Sequence, residues 1–70
     1  MSNQINFKLN GQCYISNNNL TIYQLLNYFN YDLALIVLEY NGTIYSKKKW
    51  VNLKIQSNDQ FEVITIVGGG

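Results

Sequence analysis

The chain has 70 residues, 47% of them hydrophobic, with one Trp, six Tyr and three Phe. A core of this size rarely supplies more than about 3–5 kcal/mol, and a single cysteine, Cys13, offers no disulfide framework to add to it. The formal net charge of +1 gives no broad electrostatic case for nucleic acid or membrane binding. The longest apolar run, Leu33–Leu38, falls far short of the ~20 residues that span a bilayer.

Met1-Ser2-Asn3-Gln4 carries no basic segment followed by an apolar one, so no secretory signal is expected. A lone thiol suits a reducing compartment. Asn, Ile, Tyr and Lys are abundant, Pro and Arg are absent, and Ala occurs once, a bias that fits an AT-rich genome. The expected location is therefore the cytoplasm, or the plastid stroma if the gene is organellar.

Ile5, Phe7 and Leu9 alternate with Asn6, Lys8 and Asn10, the period of a half-buried strand. Asn10-Gly11 follows as a hairpin signal, because a type I′ turn needs φ > 0 at both central positions. Residues 12–15 are expected to return, with Cys13 and Ile15 sharing a face and Cys13 a small core residue. Asn17–Asn19 reads as a loop. Thr21 with Gln24 reads as a capping box. It opens a helix over 21–30 whose stripe is Ile22, Leu25, Leu26 and Phe29.

Leu35–Leu38 is apolar on both faces, as a central strand would be, and runs through Tyr40 to a second tight turn at Asn41-Gly42. Thr43–Tyr45 returns, 46–50 reads as an irregular or 3₁₀ turn, and Leu53 with Ile55 forms a short apolar segment. Ser57–Asp59 is a turn and 60–67 the last strand. The order predicts an α+β fold, a β-grasp (ubiquitin-like) mixed sheet of about five strands with one main helix. The predicted domain is 1–67, followed by a flexible tail, 68–70.

The absence of His removes His-based catalysis and His metal ligation. One Cys makes no zinc cluster, so no metal site is expected. Asp32, Glu39, Asp59 and Glu62 are scattered along the chain, and no Gly-rich loop precedes a helix. The chain is therefore expected not to be an enzyme and to bind no cofactor itself. Lys47-Lys48-Lys49 with Trp50 reads as a solvated turn with Trp50 tucked on the core, or else as a docking patch for an acidic surface.

The end of the chain is the more distinctive feature. The strand-like run Phe61–Val67 leads without a polar linker into Gly68-Gly69-Gly70. Glycine has no Cβ, so such an end is thin and conformationally free. It can place its carboxylate inside another protein's active site. Ile64 and Ile66 alternate with Val63 and Thr65, so one face of this strand is expected to offer β-branched residues to a partner.

The segments Val37-Leu38-Glu39-Tyr40-Asn41-Gly42-Thr43-Ile44, Trp50, Asn58-Asp59-Gln60-Phe61-Glu62-Val63 and Val67-Gly68-Gly69-Gly70 resemble the ThiS family, sulfur carrier proteins of thiamine biosynthesis. The chain departs from the family pattern at Ser46-Lys47, where many members have Pro-Arg, and at Asn58-Asp59, in place of Gly-Asp. The resemblance implies that an E1-like enzyme (ThiF type) uses ATP and magnesium to adenylate the Gly70 carboxylate. It implies that sulfur from cysteine, delivered by a desulfurase, converts Gly70 to a thiocarboxylate, and that a thiazole synthase (ThiG type) takes that sulfur. Gly68 and Gly69 would then be the threading tail, with Ile64, Ile66 and Val67 the docking residues. A molybdopterin-synthase small subunit and a ubiquitin-like tRNA-thiolation carrier share this logic. A plain β-grasp interaction module with an inert tail is the reading of a different class.

Overall fold

The computed structural model describes residues 4–66. The elements in chain order are strands β1 (Ile5–Leu9) and β2 (Gln12–Ser16), helix α1 (Ile22–Tyr28), a 3₁₀ turn (Leu33–Leu35), strands β3 (Ile36–Tyr40) and β4 (Thr43–Tyr45), a single helical turn α2 (Lys47–Trp50), and strand β5 (Asp59–Thr65). They form one five-stranded sheet in the order β2-β1-β5-β3-β4. The first and last strands pair in parallel at its centre, with Phe7 opposite Asp59 and Leu9 opposite Phe61. All other strand pairs are antiparallel. This is the α+β, β-grasp arrangement expected.

Both hairpins are set locally. Asn10 and Gly11 have φ of 51° and 82°, and Asn41 and Gly42 have 49° and 89°. Those are the left-handed values a two-residue primed turn demands, which Asn and Gly adopt at the least cost. Each turn fixes the register of the strands it joins: Leu9 pairs with Gln12 and Tyr40 with Thr43.

Helix α1 starts as the capping box requires. The Thr21 hydroxyl accepts the Gln24 N–H at 3.1 Å, and the Gln24 side-chain oxygen accepts the Thr21 N–H at 2.9 Å. The helix ends at Tyr28, and Asn30 takes up the left-handed φ of 62° that terminates it. Ile22, Leu25 and Leu26 are buried, and Phe29 packs partly buried beside them. They share one core with Phe7 and Leu9 of β1, Ile36 and Leu38 of β3, and Phe61 of β5. Trp50 and Ile55 complete it. Trp50 is 2% exposed and donates its ring N–H to the Tyr45 carbonyl at 3.1 Å.

Three local expectations need correction. Cys13 and Ile15 face solvent, and it is Tyr14 that turns inward, stacking on Phe7 and meeting Phe29 edge-on. The alternation was right in period and wrong in phase, because one large ring fills the space that two smaller side chains would have shared. Leu35 lies in the 3₁₀ turn, so β3 begins at Ile36, and the centre of the sheet belongs to β5. Residues 47–50 form an α-helical turn. Leu53 and Ile55 flank a single bridge between Lys54 and Thr21, and Ile22 N–H and Ile55 N–H bond to Leu53 and Leu20 carbonyls. They form the short apolar segment expected, Ile55 buried and Leu53 half-buried, and fasten the start of α1.

Candidate functional site

The helix and α2 cover one face of the sheet, and the other face is open. Alternation along β5 puts Asp59, Phe61 and Val63 toward the core and Gln60, Glu62 and Ile64 outward. On β3 the outward residues are Val37 and Glu39. On β4 the outward residue is Ile44, which pairs with Glu39. The β3–β5 register then sets Val37 opposite Ile64 and Glu39 opposite Glu62. Ile44 is 59% exposed, Ile64 51% and Ile66 48%. Beyond Thr65 the chain stays on the sheet for one more residue, with Ile66 N–H bonded to the Leu35 carbonyl.

Ile64 and Ile66 thus lie on the surface, where the sequence reading placed a docking pair. Val67 and the tail Gly68, Gly69 and Gly70, including the proposed reacting carboxylate, lie outside the described residues. Ile44 and the facing of Glu39 with Glu62 were missed. Ile44 could have been found from the Asn41-Gly42 turn alone, since a two-residue hairpin forces Glu39 opposite Ile44. The facing of Glu39 and Glu62 needs the long-range register of β3 on β5, which no local signal supplies.

Behind the face, the Asn41-Gly42 turn is tied to β5 by a buried carboxylate. Asp59 is 6% exposed. It accepts the Tyr40 hydroxyl at 2.9 Å, the Asn41 side-chain amide at 3.2 Å and the Gln56 N–H at 2.7 Å. Asn41 also accepts the Gln60 N–H at 2.8 Å. Burial, with the Asp59 hydrogen bond and charge adding to it, pushes the Tyr40 hydroxyl up to about 12. On the other side Asn10 plays a parallel part, its side-chain oxygen accepting the Val63 N–H at 2.7 Å. These contacts position β5 between two Asn-Gly turns, and among the described residues no buried side-chain donor or acceptor lacks a partner.

The remaining candidates are dispersed. Asp32 caps the 3₁₀ turn through the Ala34 N–H. Lys47, Lys48 and Lys49 are exposed, and the Lys49 ammonium sits 4.9 Å from the centre of the Tyr45 ring. Two concavities are present, one along β1, β2 and the start of β5, lined by Lys8, Cys13 and Gln60, and one between β2 and α1. No group of three or more His, Cys, Asp or Glu is arranged for a metal ion among the described residues. No helix among them is long and apolar enough to cross a membrane.

The family model of the ThiS family matches residues 3–70. The protein ycf40 of Trieres chinensis is 48% identical over 64 residues, covering 91% of this chain and 88% of the relative. The ycf40 protein of Porphyra purpurea is 31% identical over 70 residues, covering 100% and 99%. Among solved structures, the crystal structure of the thiamine biosynthesis protein ThiS from Geobacter metallireducens shares the fold, with a TM-score of 0.81 at 20% identity over 94% of this chain and 100% of that one. The chain belongs to the ThiS family and is a ThiS-like sulfur carrier, a small carrier protein rather than an enzyme.

Proposed function

We propose that the chain carries sulfur as a thiocarboxylate on Gly70 for assembly of the thiamine thiazole ring. The observation that carries this reading is the family match over residues 3–70, which takes in the terminal glycines together with the strand that leads to them. An E1-like, ThiF-type enzyme uses ATP and magnesium to join AMP to the Gly70 carboxylate with release of pyrophosphate. The acyl-AMP turns a poor electrophile into a good one by supplying a leaving group. A persulfide, charged by a cysteine desulfurase, attacks the acyl carbon and expels AMP. A thiol then reduces the acyl disulfide and leaves the thiocarboxylate. A ThiG-type thiazole synthase consumes the sulfur.

The fold supports the reading in one physical respect. Any partner that takes the glycine end must sit against the strand from which it emerges, and Ile64 of β5 and Ile66 just beyond it are exposed there. From Val67 to Gly70 an extended chain reaches roughly 13 Å, enough to enter an active site while the sheet stays outside. The residue bias and the ycf40 name of the relatives favour a plastid stroma.

Adenylation tests the reading step by step. The adenylating enzyme should exchange labelled pyrophosphate into ATP only when the chain is present. A chain lacking Gly69 and Gly70 should not support exchange. No exchange with the full-length chain would make the tail inert and leave a plain β-grasp interaction module.

A further inference from the structure

Two of the chain's four acidic residues, Glu39 and Glu62, lie directly opposite one another on the open sheet face. Like charges directly opposite one another are destabilising, and solvent exposure alone does not require them to meet there. The flanks are apolar. Ile44 adjoins Glu39 on β4, and Val37 with Ile64 forms the next outward pair along β3 and β5. Of the five lysines only Lys8 belongs to the sheet, opposite Gln60, one diagonal step from Glu62. Lys47, Lys48 and Lys49 belong to α2, and Lys54 to the segment beneath α1. The face therefore presents a pair of carboxylates, Glu39 of β3 and Glu62 of β5, between the exposed Ile44 and Ile64.

We propose that this face docks a partner surface presenting a guanidinium framed by apolar side chains, and that its occupant is the ATP-dependent adenylating enzyme. The inference rests on the carrier reading and adds to it the partner's chemistry and three residues, Glu39, Glu62 and Ile44. One guanidinium can bridge two facing carboxylates with paired N–H···O bonds, which turns their mutual repulsion into a binding contribution. The adenylating enzyme is the partner whose chemistry demands positive potential, because it must gather ATP and a terminal carboxylate, both anionic, into one cleft. Ile44 and Ile64 then exclude water around the charged contact, and charge complementarity sets orientation and approach rate.

The test is calorimetric binding of the full-length chain to the adenylating enzyme, at low and at high salt. The unaltered chain should bind more weakly as salt rises. The Glu39→Gln, Glu62→Gln double variant should bind roughly tenfold or more weakly at low salt, with a flattened salt dependence, and should melt no lower than the unaltered chain. The Glu39→Asp, Glu62→Asp chain keeps the charge and should keep the salt dependence. Equal affinity and equal salt dependence in the Gln variant would overturn the proposal while leaving the carrier reading intact, provided the unaltered chain supports pyrophosphate exchange. Failure of the unaltered chain to bind or to support exchange would instead bring down the carrier reading, and this proposal with it. Sedimentation of the chain alone closes the remaining route. A salt-sensitive dimer that the Gln variant abolishes would assign the face to Lys47–Lys49 of a second copy and overturn the proposal.

Discussion

The Tyr40 hydroxyl donates to the Asp59 carboxylate at 2.9 Å, joining the end of β3 to the start of β5 beneath the Asn41-Gly42 turn. Hydrogen bonds to charged groups contribute about 1.5–3 kcal/mol, and this one is partly buried. It also holds the Tyr40 proton against alkali.

Burial of the hydroxyl, with that contact adding to it, makes stability depend on pH in a defined window. The folded chain binds the Tyr40 proton up to about pH 12, against 10.0 for the free group. Below pH 10 both states are protonated and the contribution is complete. Between about 10 and 12 the unfolded chain ionises first, so the contribution is lost as pH rises. Urea unfolding across that range should show Tyr40→Phe less stable than the unaltered chain at pH 8, with the gap narrowing toward pH 12. A gap that stays constant would mean that the hydroxyl is not held as described.

Leu25 is 1% exposed and touches the centre of the core. Truncation to Ala should cost about 2–5 kcal/mol, comparable with the whole stability expected of a domain this small. Circular dichroism should find Leu25→Ala largely unfolded at 25 °C or melting far below the unaltered chain. A melt within a few degrees of the unaltered one would contradict the packing of α1 on the sheet.

Ile64 and Ile66 are half-exposed and outside the core. Ile64→Asp and Ile66→Asp should therefore leave the thermal melt nearly unchanged while weakening binding to both the adenylating enzyme and the thiazole synthase. Full affinity in both variants would remove this face from the docking surface. A collapsed melt would show that these side chains support the fold.

What was legible in the sequence was what neighbours decide. Asn10-Gly11 and Asn41-Gly42 need positive φ at adjacent residues, and the Thr21–Gln24 box closes within one turn, so each could be read without knowing the rest of the chain. The stripe Ile22, Leu25, Leu26 and Phe29 was equally plain, because its period belongs to the helix itself. The phase of β2 was not: alternation says that Tyr14 opposes Cys13 and Ile15, but only Phe7 and Phe29, brought in by other elements, decide which side is inner.

The same distinction runs through the site. Ile64 and Ile66 could be named from one strand's alternation. The burial of Asp59 could not, since an acidic residue is ordinarily exposed and two of its three donors, on Tyr40 and Asn41, come from nineteen and eighteen residues away. The Glu39–Glu62 pairing likewise exists only once β3 lies on β5. The terminal glycines were conspicuous in the sequence, and their reading rests on the family and on chemistry.

The most direct test of the central claim is the intact mass of the chain after incubation with the adenylating enzyme, ATP, magnesium, cysteine, a cysteine desulfurase and a reducing thiol. The account predicts a mass increase equal to the difference between one sulfur and one oxygen atom, located by fragmentation at Gly70 and absent without ATP. An unchanged mass with an adenylating enzyme that is active on its own substrate would contradict it.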